Sequence, residues 1–187
     1  KNKTIKEIVI PAVVLFIIAT VCTALLAGTN LLTKDKIADL AVQAENEAKS
    51  AVIEATSFSA AKEIDGNIYY EAFDEKDNVI GYVFNVSAKS YGGVLTCMVG
   101  ISAEDEMVTG VEITAISDTP GLGMKAEDVL IPQFADKTAV AFTYSKTGSV
   151  AANEIDAISG ATITTKAVVD AVNGAVNVTT ELLEGGN

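Results

Sequence analysis

The sequence predicts an α+β architecture: one N-terminal transmembrane helix continuing into a stalk helix, then a sheet with helices packed against it. Three observations carry that expectation. An uncharged run, "IVIPAVVLFIIATVCTALLAGTNLL", stretches from Ile8 to Leu32. Four strand-like runs follow, divided by charged turn segments such as "DEKDN" and "SAEDE". Towards the C-terminus, Ile163, Ala167, Ala171, Ala175, Val178 and Leu182 recur at helical spacing, and Gly185-Gly186 ends the run.

As a helix, the uncharged run would be roughly 37 Å long at about 1.5 Å per residue, against a bilayer core of about 30 Å. A cleaved signal peptide has a shorter apolar core and a small-residue cleavage site. "AGTN" at Ala27 to Asn30 imitates such a site, but the length of the run favours an uncleaved anchor. Pro11 lies near its start, where a helix tolerates proline. Lys1, Lys3 and Lys6 stand ahead of it against Glu7, whereas Lys34 and Lys36 behind it are interleaved with Asp35 and Asp39. The lysine excess on the short side places the N-terminus in the cytoplasm and the rest of the chain outside.

From residue 33 to 61 the pattern is amphipathic, with Ile37, Leu40, Ala44, Ala48 and Val52 on one helical face. The runs "NIYYEAF", "VIGYVFNVSA", "VLTCMVGIS" and "MVTGVEITAI" read as strands, and "AVAFTY" as a later short one. The expected organisation is therefore a cytoplasmic N-terminus (1–7), a transmembrane helix (8–32), a juxtamembrane stalk (33–61) and an extracytoplasmic domain (62–187).

Composition excludes several chemistries. A formal net charge of −12 argues against nucleic acid as a partner. With no His, the chain lacks Ser-His nucleophile pairs and His-ligated zinc or haem. Two cysteines, Cys22 and Cys97, are too few for an iron–sulfur cluster, and both read as free thiols. No GxxxxGK[ST] or GxGxxG loop is present. No catalytic or metal-ligating side chain is assigned, so redox or transfer chemistry would have to come from a cofactor.

Three constellations remain. In "SGATITTKAVVDAV", Thr162 stands at the first turn of a helix, whose free amides and positive dipole end favour a phosphate. Ser159 and Thr162 supply hydroxyls, while Gly160 and Ala161 leave room for a bulky group. A plain helix cap is the alternative. "ISDTPGLGMKAED" combines turn-forming Pro120, Gly121 and Gly123 with apolar Leu122 and the cation Lys125, suiting a flat heteroaromatic ligand; an ordinary Pro-Gly turn is its alternative. "KSYGGVL" reads as a tight bend entering a strand.

Together and in this order, "LLTKDKIA" after the anchor, "YGG", "DTPGLGMK" and "DAISGAT" resemble one family. It is that of the G subunit of the Rnf ion-translocating oxidoreductase complex, shared with the C subunit of the sodium-pumping NADH:quinone oxidoreductase. The resemblance spans nearly the whole chain, and its loop carries Asp118 where the family often has Glu. It implies FMN held by a phosphoester to the threonine ending S-G-A-T, here Thr162, with Thr164 and Thr165 as neighbouring alternatives. A flavin transferase would make that bond from FAD and read a motif including Asp156. Thr119, Leu122, Gly123 and Lys125 would contact the ring system. By helical spacing alone, and not by the resemblance, Lys166 one turn on would neutralise the phosphate. The implied role is electron relay between the other membrane and peripheral subunits of a ferredoxin:NAD oxidoreductase that moves Na⁺ or H⁺, with no turnover by this subunit alone. The C subunit of the quinone reductase and a membrane-anchored domain without flavin are the rival readings.

Overall fold

The computed structural model describes residues 2–64, 66–148 and 151–184 and divides into two units, Lys1–Ala44 and Glu45–Asn187. The first unit is the larger part of one helix, α1 (Asn2–Val52). Leu15, Phe16, Leu25, Leu26 and their apolar neighbours are exposed along it, and the segment is long and apolar enough to cross a membrane. Thr20 and Thr29 donate their hydroxyls to the carbonyls of Phe16 and Leu25 at 2.8 and 2.9 Å. Both groups are thereby satisfied inside the helix, as an apolar environment demands. Cys22 is exposed here, Cys97 is buried in the second unit, and both are free thiols.

The helical face expected between 33 and 61 divides in two. Ile37 and Leu40 are exposed, whereas Ala48 and Val52 are buried. The helix also stops at Val52, short of residue 61. The Val52 carbonyl accepts a hydrogen bond from the Thr109 hydroxyl at 2.5 Å instead of from a further helical amide. Gly100 and Gly110 face each other across two strands and leave the hollow that Val52 occupies. A Cβ on Gly110 would stand 2.9 Å from the Val52 Cα. After this stop the chain enters β1 (Ser57–Phe58), which pairs with a later strand.

The core of the second unit is an antiparallel meander. Following β2 (Lys62–Ile64), it consists of β3 (Asn67–Phe73), β4 (Val79–Lys89), β5 (Val94–Ser102) and β6 (Met107–Ala115). These four coincide with the strand-like runs, because alternating side chains settle on two different buried faces. The short strands β1, β2 and β7 (Lys137–Thr138) extend the sheet at its edges. On one face Val83 and Met98 pack with Ala48, Val52 and Ile53 from the end of α1. Lys49 is buried there too, paired with Glu45 at 2.9 Å and 4.2 Å from the centre of the Tyr70 ring.

A four-residue helix, α2 (Ala126–Val129), and the segment around Phe134 close the end of the other core, which lies under the C-terminal helix α3 (Thr162–Glu184). On this face Phe84, Val86, Cys97, Val99 and Ile101 pack against Val168, Val172 and Ala175 of α3. Ala167, Ala171, Ala175 and Val178 are buried as the spacing predicts, but Ile163 is exposed. "AVAFTY" is a strand only from Thr143: β8 (Thr143–Ser145) pairs in parallel with β9 (Glu154–Asp156). Ahead of it, the amide and carbonyl of Phe142 are taken by the Asn173 side chain of α3, at 2.7 and 2.9 Å, and not by a neighbouring strand.

Candidate functional site

Three connections converge at the N-terminus of α3. The bend between β4 and β5 brings Ser90, Tyr91 and Gly92; the segment after β6 brings Asp118 to Gly123; the turn after β9 brings Gly160 and Ala161 into the helix. Between them lies a cleft of about 410 Å³, lined by Tyr91, Asp118, Thr119, Leu122, Gly123, Gly160, Ala161, Thr162, Ile163 and Thr164. That volume falls in the range of small-molecule sites, and the lining has their usual character of apolar walls with few polar groups.

A single carboxylate joins the three connections. Asp118 accepts hydrogen bonds from the Ser90 hydroxyl, from the Gly92 amide at 2.6 Å and from the Thr164 hydroxyl at 2.5 Å. Burial pushes its pKa up, but the donors Ser90, Thr164 and the Gly92 and Tyr91 amides outweigh burial and leave the carboxyl below its ordinary value. Gly123 makes the close approach possible, since a Cβ there would lie 2.6 Å from both the Asp118 Cβ and the Thr164 hydroxyl oxygen. Gly160 turns the chain into the helix with φ at +80°, which side-chain-bearing residues rarely adopt.

The three threonines at the start of α3 differ sharply. Thr164 is buried and gives its hydroxyl to Asp118. Thr165 is fully buried, donating to the Ala161 carbonyl and accepting from the Ile158 amide, each at 3.1 Å. Thr162 is half-exposed at the cleft, and its hydroxyl has no hydrogen-bond partner among the described residues.

Of the residues singled out in the sequence, Thr119, Leu122, Gly123, Gly160, Ala161 and Thr162 thus lie together on the cleft. Ser159 is exposed beside Gly160 but does not line it, and Lys125 sits in a single 3-10 turn after the loop. Lys166 is exposed and pairs with Asp170 one turn further along α3, away from the cleft lining. Asp156 is exposed on β9, its amide donating to Gln133 at 2.7 Å and its carbonyl accepting from the same side chain at 3.2 Å. Sequence reasoning missed the joint held by Ser90, Asp118 and Thr164, and the contribution of Tyr91 and Ile163 to the cleft. The available signal was an acidic residue inside an otherwise small and apolar loop.

The cleft lies within a recognisable domain. Residues 90–177 match the FMN-binding domain family, and residues 3–52 match the RnfG N-terminal region. The chain is 34% identical over 181 residues to the G subunit of the ion-translocating oxidoreductase complex of Methanosarcina acetivorans, covering 92% of this chain and 94% of that one. It is 37% identical over 186 residues to the G subunit of the Na(+)-translocating ferredoxin:NAD(+) oxidoreductase complex of Acetobacterium woodii, covering 88% of each. In fold it is similar to the crystal structure of Shewanella oneidensis NqrC, with a TM-score of 0.50 and 18% identity over 73% of this chain and 70% of that one. The chain belongs to the G-subunit family of ion-translocating oxidoreductase complexes and carries that family's FMN-binding domain.

Proposed function

We propose that this chain is the membrane-anchored electron-transfer subunit of an Rnf-type complex, carrying FMN in phosphoester linkage to Thr162. The observation that carries the assignment is the contrast among the threonines of α3: only Thr162 offers a hydroxyl at the cleft that is not already committed to the fold. The residues present fit the group. Amides of the first turn of α3 suit a phosphate, Gly160 opens the backbone beside it, and Leu122, Ile163 and Tyr91 present apolar and aromatic surface to a flat ring system. FMN, when bound, supplies the redox chemistry; the chain holds it, orients it and keeps it from being lost.

Attachment would be the work of a separate flavin transferase. In that reaction the Thr162 oxygen would bond to the flavin-side phosphorus of FAD as the pyrophosphate bond breaks, and AMP would leave, its phosphate taking up the hydroxyl proton. Asp156, exposed on β9, is the acidic residue of the motif that such an enzyme would read. Lys166 is a weaker candidate for the phosphate because it already pairs with Asp170. The lysine excess before the apolar segment orients the N-terminus to the cytoplasm and the FMN-binding domain outward. The relatives are named as subunits of ferredoxin:NAD(+) or ion-translocating oxidoreductase complexes. Relay between partner subunits, with ion movement elsewhere in the complex, is the role that follows.

The test is production of the full chain with and without a flavin transferase, followed by denaturing electrophoresis under ultraviolet light. A fluorescent band dependent on the transferase supports the assignment. A dark band, from chain shown to be folded and with the transferase active on a control substrate, contradicts it.

A further inference from the structure

We propose that Asp118 sets the reduction potential of the flavin held in this cleft, through its own negative charge, while positioning the cleft's walls. The inference rests on the reading of the cleft as the FMN site and adds a role to a residue outside the attachment motif.

Three observations support it. First, among the residues lining the cleft, Asp118 is the single carboxylate, and no Lys or Arg lines it. Whatever formal charge the cleft wall presents comes from Asp118. Second, Asp118 is only 4% exposed. A charge kept out of water acts on its neighbours through a much lower effective dielectric than a surface charge does. Third, its partners are all donors: two hydroxyls, of Ser90 and Thr164, and the amide of Gly92. Such a set stabilises the ionised form, so the carboxyl remains an anion beside the ligand.

The sign follows directly. Electrons added to a flavin in this cleft arrive next to a fixed negative charge, which opposes them and lowers the potential. The Ser90 and Thr164 hydroxyl dipoles point their positive ends at the carboxylate and soften that field. Neutralising Asp118 must therefore raise the potential, whereas stripping away its donors must lower it. A purely structural role would move both kinds of variant in one direction, through a loosened cleft.

The experiment uses the full chain in detergent, made alongside a flavin transferase, with flavin content per chain measured first and the potential then measured by spectroelectrochemical titration at pH 8. Wild type is compared with Asp118→Asn and with the double variant Ser90→Ala, Thr164→Val. Asp118→Asn is expected to shift the oxidised-to-reduced ratio at fixed applied potential at least tenfold towards reduced, about 30 mV for a two-electron couple. The double variant is expected to shift it the other way, and this arm stands even if Asp118→Asn does not fold. Loaded variants with unchanged potentials, or shifts of the same sign in both, overturn the role of Asp118 alone. A wild-type chain that carries no flavin overturns the reading of the cleft, and this inference with it.

Discussion

The Thr164 hydroxyl donates to the Asp118 carboxylate at 2.5 Å, across 46 residues of chain, and so ties the first turn of α3 to the loop after β6. The same carboxylate holds the bend between β4 and β5 through Ser90 and Gly92. Two connecting loops and the start of a helix are thereby fixed around one cleft. Replacing Asp118 with Ala would leave buried donors without an acceptor, at a cost of about 2–4 kcal/mol. Urea unfolding of the full chain in detergent, followed by circular dichroism, should show that loss, with a smaller one for Asp118→Asn.

Acid should remove the same contribution. The folded-state pKa of Asp118 is lowered, so its stabilisation is fully present above its unfolded value of about 3.9 and is lost as pH falls through the folded value. The difference in urea midpoint between wild type and Asp118→Asn should be constant from about pH 7 to about pH 5 and shrink below about pH 4. A difference that widens on acidification would contradict the hydrogen-bonded carboxylate.

Gly123 is the close-approach position of the joint. Gly123→Ala would set a methyl 2.6 Å from both Asp118 and Thr164. The expected cost is about 1–3 kcal/mol, as for overpacking elsewhere, read as a lowered thermal midpoint. By contrast Gly66→Ala, with open space around the added methyl but a φ of +79°, reports backbone strain alone and serves as the comparison.

Cys97 tests the core beneath α3. It is fully buried on β5, and burial pushes its thiol up to about 12. Iodoacetamide at pH 8 should leave Cys97 unlabelled in the folded chain and label it in urea, as peptide mapping would show. Rapid labelling of Cys97 in folded protein would contradict the packing of α3 on β4 and β5.

Much of this arrangement is legible in the sequence. The strands β3 to β6 announce themselves because both faces of the meander are buried, one by α3 and one by the end of α1, so apolar side chains occupy successive positions, most continuously in β5. The course of α3 is readable from its spacing, but Ile163 does not join the core with the rest of its stripe, because its position at the helix start falls on the cleft. The end of α1 is not readable. It depends on Thr109 and on Gly100 and Gly110, distant residues that no local pattern connects to Val52. The same holds for Asp118, whose partners Ser90 and Thr164 lie in two other motifs. Local periodicity reports burial; it does not report which distant loops share a hydrogen bond.

The central claim is the attachment of FMN to Thr162, and mass spectrometry of the tryptic peptide Thr147 to Lys166 tests it most directly. The peptide contains Thr162, Thr164 and Thr165 together. From chain made alongside a flavin transferase, the account predicts a mass gain of FMN minus one water, with fragment ions placing it on Thr162, lost in Thr162→Val and kept in Thr165→Ser. An unmodified peptide from folded chain, or modification placed on Thr164 or Thr165, would contradict it.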